Sequence, residues 1–312
     1  MIFVIPFETQ ENEYIELFKN IFNKIGIKSE EFSLFKLFRN AYQNNYIFLN
    51  WFENQSRNHG LLGLFLIFVF MILVKVLGYR VFYVKHNIVS HNLNSAYSIK
   101  INKLSIKIIS LLSDVTFCHG KSYSKNNKLV YLPHPLYTRQ QPISEEIISK
   151  DGLLVFGRMQ KYKEIVELLS VISPDIKVSL WGKFDEAYYD ECQSIINRRN
   201  LLNVNVLNDF IPTEKLNEKI RSSQAVLVTN PGNTSIISGS IIHAFTLETK
   251  VITRSTSLFE EIGIKNSNSF FCINSWSEIN DIMMYYTSPF DQSISSHFRD
   301  EKIINILTKY LK

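Results

Sequence analysis

The feature that most constrains the fold is a repeated alternation of short apolar runs with longer stretches of helical spacing. In the second half of the chain, the runs 153–156, 177–181 and 225–229 are each followed by a helical stretch. These runs are continuously apolar and lack the alternation of polar and apolar residues found in a half-exposed strand. Continuous apolar runs are typical of parallel strands covered by helices on both faces. We therefore predict an α/β fold built on parallel sheets.

The first half of the chain repeats this alternation with its own strands and helices. The predicted strands are 2–6, 45–51, 80–84, 114–118, 129–132, 153–156, 177–181, 203–207, 225–229, 250–253 and 270–273. The predicted helices are 11–24, 30–42, 61–74, 95–112, 163–172, 185–199, 213–222 (capped by Thr213), 240–247, 258–262, 275–286 and 299–311. A polar, proline-containing stretch at 138–152 separates two domains, 1–140 and 150–312.

Cysteine count and net charge exclude several classes of protein. Three widely spaced cysteines, without a Cys-x-x-Cys pair, predict neither a disulfide framework nor a zinc site. A net charge of +5 permits an anionic ligand or membrane surface, but it is too small to indicate nucleic-acid binding.

Residues 61–74, LLGLFLIFVFMILV, form an uncharged apolar segment. A spanning helix needs about 20 apolar residues, so this run predicts none. Two alternatives remain: a core helix of the first domain, or a helix whose outer face enters a membrane surface. The core alternative requires cover on every side, because the segment is apolar all round. In the membrane alternative, Lys75, Arg80 and Lys85 follow closely and meet anionic head groups.

The loops after predicted strands are the places to seek a site, because ligands of open α/β sheets bind beyond the carboxyl ends of the strands. In GRMQKYK, Gly157 ends a strand, and Arg158 and Lys163 bracket the start of a helix. Two cations beside a helix N-terminus suit a phosphate or diphosphate. The alternative is a pair of solvated surface cations.

A second loop is rich in small and hydroxyl residues, NPGNTSIISGS at 230–240. Ser238, Gly239 and Ser240 begin a helix here, where an anion is favoured, although Ser238 also fits a simple N-cap. His243 lies within that helix, either as a core histidine or facing the ligand.

Histidines mark two loops in the first half. His86, Asn87 and His91 follow the strand 80–84, where an imidazole transfers protons or binds a hydroxyl. His134 lies in LPHPLY between the halves, in either a hinge or a cleft. No Gly-x-Ser-x-Gly, Walker, Gly-x-Gly-x-x-Gly or Asp-x-Asp motif occurs, so we expect no cofactor and no metal ion.

The order of these loops resembles that of the GT-B glycosyltransferases, in particular bacterial enzymes that build exopolysaccharide, capsule or O-antigen. VFGRMQKYK is similar to the family's strand–Gly-Arg-x4-Lys element, and VSLWGK to the next strand and its glycine. TSIISGSIIHAFTLETKVI is similar to a Ser-Gly turn, helix and strand, YRVFYVKHNIVSHN to a strand and "HN…H" loop, and LVYLPHPLY to the hinge-entry segment. The resemblance covers nearly the whole chain.

This resemblance implies two Rossmann-like domains facing across a cleft, with the C-terminal helix crossing back to the first. Residues 1–140 would bind the acceptor and 150–312 the nucleotide sugar. Arg158, Lys163, Ser238, Gly239 and Ser240 are the implied contacts of the donor diphosphate. The implied nucleotide-binding residues are Gly157, Gly182, Phe210 and Ile211. The implied catalytic residues are His86 and His91. The implied cleft positions are Asn87, His134 and His243.

The chain departs from the family pattern at several positions. His243 and Ser235 stand where the retaining enzymes carry a pair of glutamates, and Glu248, Thr249 and Lys250 replace a Gly-x-Pro turn. The glycine-rich loop after the first strand is replaced by PFETQE.

The resemblance implies a metal-independent hexosyltransferase of bacterial surface-polysaccharide synthesis. Its donor would be a nucleotide-diphosphate sugar, with UDP preferred to GDP, and its acceptor a lipid-linked saccharide. We expect a cytoplasmic protein held peripherally, through 61–85, on the inner face of the plasma membrane. Two alternatives stay open: an inactive partner that binds nucleotide sugar or glycan as a scaffold, and a sugar-nucleotide epimerase.

Overall fold

A computed structural model of the chain describes residues 1–9, 13–90, 93, 95–138, 150–229, 236–254, 268–284 and 289–311. The chain divides into two compact units. Unit 1 comprises Met1–Tyr137, Asn233–Ile237 and Phe298–Lys312. Unit 2 comprises Thr138–Gly232 and Ser238–His297.

Unit 1 is built on a six-stranded sheet of order β2-β1-β3-β4-β5-β6, in which all paired strands are parallel. Its strands are β1 (Ile2–Ile5), β2 (Ser29–Glu31), β3 (Tyr46–Asn50), β4 (Arg80–Lys85), β5 (Val115–Cys118) and β6 (Val130–Tyr131). Its helices are α1 (Tyr14–Lys24), α2 (Leu34–Arg39), α3 (Asn54–Val76), α4 (Ala96–Leu112), α5 (Lys121–Asn126) and, from the end of the chain, α12 (Asp300–Leu307).

Helices cover both faces of this sheet, which explains why its strands are apolar on both sides. On one face, Ile2 and Val4 pack with residues of α1 and with Ile303 and Leu307 of α12. On the other face, Phe3 and neighbouring strand residues pack against α2, α3 and α4. The C-terminal helix α12 thus belongs to unit 1.

Unit 2 has its own parallel sheet of six strands, in the order β12-β11-β10-β7-β8-β9. The strands are β7 (Leu153–Phe156), β8 (Val178–Trp181), β9 (Val204–Leu207), β10 (Ala225–Val228), β11 (Lys250–Arg254) and β12 (Phe270–Ile273). The helices are α6 (Ile165–Val171), α7 (Glu186–Arg199), α8 (Thr213–Ser222), α9 (Gly239–Thr246), α10 (Glu278–Met284) and α11 (Gln292–His297). The strand order reverses between β7 and β10, the point at which such sheets bind ligands.

Four local features differ from the predictions. Residues 30–42 are not one helix, because Ser29–Glu31 pairs with β1 as a short polar edge strand and α2 begins only at Leu34. Pro212, not Thr213, occupies the N-cap position of α8, and no side chain caps the helix there. Helices α5 and α11 have no counterpart among the predicted helices, because both are short and mostly polar. The predicted helix 258–262 lies outside the described residues.

Helix α3 extends the apolar segment at both ends. It begins at Asn54, before the apolar segment, and bends at Gly60, whose φ of 57° and ψ of −129° are not helical. By length and composition it could cross a membrane, with a mean hydropathy of 2.4 over its most apolar window. Only 22% of that window is buried, so the helix is not covered on every side; a single stripe, Ile67, Met71 and Val74, packs in the core of unit 1.

Candidate functional site

Two glycines meet where β7 and β8 end. The backbone N–H of Gly157 donates to Trp181 O at 3.0 Å. Gly157 and Gly182 have φ of 90° and 148°, a region that favours glycine. A Cβ at Gly182 would lie 2.0 Å from Gly157 O. The two loops therefore lie side by side with bare backbone at the carboxyl edge of the sheet.

Arg158 extends from this edge towards solvent. Its side chain is 68% exposed, and its guanidinium lies 3.6 Å from the carboxylate of Asp185. Asp185 also accepts a hydrogen bond from Gln160 Nε2 at 2.9 Å. An ion pair this long and this exposed is weak, so an anionic ligand displaces it readily.

Lys163 lies closer to the strand and is partly buried. Its ammonium donates to the carbonyl of Phe156 at 2.6 Å and lies 3.5 Å from the Cβ position of Gly157. Burial lowers the pKa of Lys163 to about 8. The site thus holds a poorly solvated cation beside bare backbone, an arrangement that an anion stabilises.

Glu164 connects this loop to two residues that sequence reasoning missed. It adopts a left-handed conformation with φ of 51° immediately before α6. Its Oε2 accepts hydrogen bonds from Arg254 Nη1 and from Trp276 Nε1, both at 3.0 Å. Arg254 is the last residue of β11. An arginine at the carboxyl end of a predicted strand was the sequence signal that could have identified it. The three side chains fix the backbone that carries Lys163.

Helix α9 begins at Gly239, directly after Ser238. Ser238 occupies the N-cap position without making a side-chain capping bond, and Gly239 and Ser240 are the first helical residues. His243 lies further along α9, 2.6 Å from Asn217 Oδ1 and edge-on to Phe156 with ring centroids 5.7 Å apart. His243 therefore packs beside the strand end that carries Gly157.

Phe210 and Ile211 lie in the loop after β9. The Phe210 side chain is 82% exposed, whereas Ile211 is half-buried. Strand β9 is the edge strand beyond β8, two strands from β7. The structure keeps these two residues on the same unit as Arg158.

Unit 1 places three buried histidines together. His86, His119 and His134 follow β4, β5 and β6. The ring centroids of His86 and His119 are 5.3 Å apart, and those of His119 and His134 are 5.1 Å apart. Burial lowers the pKa of His119 to about 4 and that of His134 to about 3, and holds that of His86 well below its usual value. All three imidazoles are therefore neutral at physiological pH.

Tyr14, at the start of α1, stands among these rings. Its centroid is 4.8 Å from that of His86 and 5.0 Å from that of His134. The Nδ1 of His119 lies 2.7 Å from the carbonyl of Leu132, which can only accept, so Nδ1 carries the proton. The Tyr14 hydroxyl then donates to His119 Nε2 at 2.9 Å.

His86 is fixed by Asn50, the last residue of β3, and by Trp51, which follows it. Its ring stacks on Trp51 with centroids 4.2 Å apart and an angle of 18°. Its Nε2 lies 3.1 Å from Asn50 Oδ1; in this orientation of the Asn50 amide, Nε2 carries the proton and Nδ1 keeps a lone pair. The backbone N–H of Ile236 donates to His86 O at 3.3 Å.

The loop after His86 is anchored by a buried polar network. Asn102 on α4 accepts from the N–H of Ser90 at 3.0 Å and donates to the carbonyl of Glu53 at 3.3 Å. The Glu53 carboxyl accepts from the Tyr83 hydroxyl at 2.9 Å, and burial raises its pKa to about 7. The network ties the loop to α3 and α4.

The predicted residues divide into two groups, one on each unit. His86 and His134 come together, with half-buried Asn87 next in the chain, whereas His91 lies outside the described residues. His119, Tyr14 and Trp51 were missed, although a histidine after a predicted strand was a usable signal for His119. Among the described residues, no group of three or more His, Cys, Asp or Glu side chains is arranged to hold a metal ion.

The two units, each with a parallel six-stranded sheet, give the chain the GT-B glycosyltransferase fold. No protein-family model and no curated protein matches the chain in sequence. Solved structures match it in fold. Anabaena HepE in complex with UDP has a TM-score of 0.65 and 14% identity, and the match covers 95% of this chain and 89% of that one.

Two further structures show the same likeness. TarM has a TM-score of 0.64 and 11% identity, covering 89% of this chain and 57% of TarM. OtsA has a TM-score of 0.58 and 10% identity, covering 89% of this chain and 75% of OtsA. HepE has also been solved with UDP-glucose. At these identities the likeness shows the fold.

Proposed function

We propose that the chain is a glycosyltransferase that moves a sugar from a nucleotide-diphosphate sugar to a saccharide acceptor. The observation that carries this proposal is the Gly157–Lys163 loop, where two cations flank bare backbone at the end of β7. Structural neighbours with the same fold include HepE, solved with UDP and with UDP-glucose, which supports a UDP-linked donor here.

Unit 2 binds the donor in this proposal. Arg158 leaves its long ion pair with Asp185 and holds one phosphate through its planar guanidinium. Lys163 binds the other phosphate as a point charge, and the N-terminus of α9, Ser238–Ser240, adds backbone N–H groups. When the glycosidic bond to the donor phosphate breaks, negative charge grows on the diphosphate, and these preorganised donors stabilise it. We propose that these cations serve in place of a divalent ion.

Unit 1 binds the acceptor in this proposal. The lone pair on Nδ1 of His86 orients the sugar or accepts the proton of the acceptor hydroxyl. Trp51 and Asn50 hold the ring so that this nitrogen keeps one orientation. His91 is the second candidate for the same role. We propose that a hexose is transferred.

The acceptor and the cellular setting complete the proposal. Helix α3 leaves most of its apolar surface exposed, which supports a lipid-linked acceptor and peripheral contact with a membrane through 61–85. We therefore propose that the protein acts in the synthesis of a bacterial surface polysaccharide, such as capsule or O-antigen. Its place would be the cytoplasmic face of the plasma membrane.

Calorimetry with UDP-glucose tests the donor site. Replacing both cations, Arg158→Ala with Lys163→Ala, should abolish donor binding. Lys161→Ala is the matched control, because Lys161 lies in the same loop but is 76% exposed and pairs with Glu191 at 3.3 Å. Unchanged affinity in the double variant would show that the donor binds elsewhere.

One observation favours a second candidate, a binding partner without transferase activity. Where related enzymes carry a glutamate, this chain has His243, which is held by Asn217 at 2.6 Å. Such a partner would bind UDP-glucose without releasing UDP. Measuring UDP release by the purified protein, with and without saccharide acceptors, separates the two functions.

A further inference from the structure

The α2–α3–α4 side of unit 1 leaves an unusual amount of apolar surface exposed. On α3, a single stripe, Ile67, Met71 and Val74, is buried against the sheet, and Gly63 is buried against Gln55 and Ser56 of the same helix. The exposed large apolar residues of α3 are Leu61, Leu62, Phe65, Leu66, Phe68, Val69, Ile72 and Val76, each 40% to 63% exposed. An apolar area of this extent marks an interaction surface.

Helix α2 extends this surface beside the C-terminal half of α3. Phe35 and Phe38 are 75% and 56% exposed, and Tyr42, just after the helix, is 73% exposed. Tyr42 is joined to the end of α3 through a hydrogen bond from its backbone N–H to Leu77 O at 2.9 Å. Aromatic rings at the border of an apolar face are typical of surfaces at a bilayer interface.

Helix α4 packs alongside α3 and adds positive charge. Lys100, Lys103 and Lys107 recur at helical spacing and are exposed, in line with Leu104 and Leu111. Helix α4 carries no acidic residue. None of the three lysines forms an ion pair within the described part of the chain.

The three cations first expected to meet head groups are engaged elsewhere, and one of them, Arg80, lies over the Tyr46 ring, 5.9 Å from its centroid. Lys75 pairs with Asp114 at 2.7 Å, and Lys85 donates to the Tyr123 hydroxyl at 2.6 Å. Lys100, Lys103 and Lys107, the α4 lysine row, therefore supply the positive charge for head groups that the segment 61–85 does not.

Helix α3 cannot be a spanning helix while unit 1 is folded. Ile67, Met71 and Val74 are fully buried against strand residues of a sheet whose other face is covered by α1 and α12. Inserting α3 across a bilayer would either strip it from the sheet or draw the sheet into hydrocarbon. A helix attached in this way enters a membrane only sideways, by its exposed face.

We propose that the α2–α3–α4 side of unit 1 is a docking face for anionic bilayers, with the exposed ridge of α3 among the acyl chains and the α4 lysine row at acidic head groups. This inference rests on the membrane contact proposed above, and it names the surface and the lipid charge. Alternating apolar and lysine positions fit a bilayer interface, where apolar and anionic layers lie next to each other.

Vesicle flotation tests the proposal. The full chain should float with vesicles of phosphatidylcholine containing about 30% phosphatidylglycerol, and much less with phosphatidylcholine alone. Replacing Lys100, Lys103 and Lys107 by Gln should weaken binding to the anionic vesicles by about fivefold per lysine, on the order of 100-fold in total. The matched control replaces Lys121, Lys125 and Lys128 by Gln, which removes the same charge at and after α5.

A second variant tests the apolar ridge. Leu62→Gln with Phe65→Gln and Val69→Gln changes exposed positions only, so the fold should persist, and flotation should be lost. Equal binding to both vesicle types would overturn the role of the lysine row. Failure to float, together with a dimer that the apolar variant dissociates, would assign the face to a second copy of the chain.

Donor binding separates this inference from the proposed function. A protein that binds UDP-glucose in calorimetry but does not float would overturn the docking face alone. A protein that floats but binds no nucleotide sugar would overturn the glycosyltransferase proposal alone.

Discussion

Lys163 donates a hydrogen bond to the backbone carbonyl of Phe156 over 2.6 Å, so the cation that we propose binds the donor diphosphate is tied to the end of β7. The bond satisfies one donor of an ammonium that has lost part of its hydration. Binding a diphosphate would replace a neutral acceptor by a charged one, which is a stronger partner for the ammonium.

Donor affinity should depend on pH through Lys163. Its pKa is about 8 in the free protein, and a bound diphosphate would raise it. Affinity for UDP should therefore be fully present below pH 8 and fall as the pH rises through 8, by at most tenfold per pH unit. Calorimetry from about pH 6.5 to 9.5 measures this, and Lys163→Arg should remove the inflection. A pH-independent affinity would exclude Lys163 from the site.

Gly182→Ala should destabilise unit 2 strongly. The new Cβ would lie 2.0 Å from Gly157 O, and backbone atoms cannot yield as a side chain does. We expect a loss of about 3 kcal/mol or more in the free energy of unfolding, measured by denaturant titration. Gly26→Ala is the control: Gly26 also has positive φ, but its Cβ would meet nothing within 4 Å. That control should cost about 1 kcal/mol, and equal losses would refute a steric cause.

Tyr14→Phe should destabilise unit 1 while keeping the ring in place. The change leaves His119 Nε2 buried without its donor, at a cost of about 1–3 kcal/mol. Denaturant titration measures the loss, and Tyr97→Phe, at a residue 59% exposed, should be near neutral. A stability equal to that of the unchanged protein would mean that the hydrogen bond contributes nothing net.

His86→Ala should lower turnover more than donor affinity. The substitution removes the nitrogen proposed to orient the sugar or take the acceptor proton, which is worth about 10²–10⁴ in rate for a general base. Steady-state rates and UDP calorimetry measure the two effects separately. His59→Ala, on the exposed side of α3, is the control. Unchanged turnover in the His86 variant removes this residue from the mechanism.

Chelation should leave the proposed reaction unaffected. Arg158 and Lys163 supply positive charge at the diphosphate, so we expect the same rate of UDP release after dialysis against EDTA. Loss of activity that Mg²⁺ or Mn²⁺ restores would show that a divalent ion takes part.

The sequence predicted those elements whose pattern is carried by their own residues. Leu153–Phe156 and Phe270–Ile273 are strands at the predicted bounds, because each is a continuous apolar run. The first pairs with a strand on either side, and the second pairs with β11 at the edge of the sheet. Strand β2 was missed because Ser29–Glu31 is polar and takes its structure from pairing with β1.

The candidate site was predicted only in part, for a related reason. Gly157, Arg158 and Lys163 lie within one loop, so their proximity is local. The cluster in unit 1 joins Tyr14, His86 and His134 from distant parts of the chain, and only the register of β1 and β3 to β6 brings them together. Periodicity carries no information on that register.

The segment that contains Ile236 has a consequence for exchanging halves between chains of this fold. Ile236 is buried in unit 1 and its backbone is bonded to His86 O, although β10 and α9 on either side of it belong to unit 2. Helix α12 returns to the same unit from the far end of the chain. A hybrid joined at a single crossover near residue 140 would thus graft foreign α12 and 236–237 segments onto the first half. Hybrids that keep both units whole need four matched junctions, and a single crossover should yield misfolded chains.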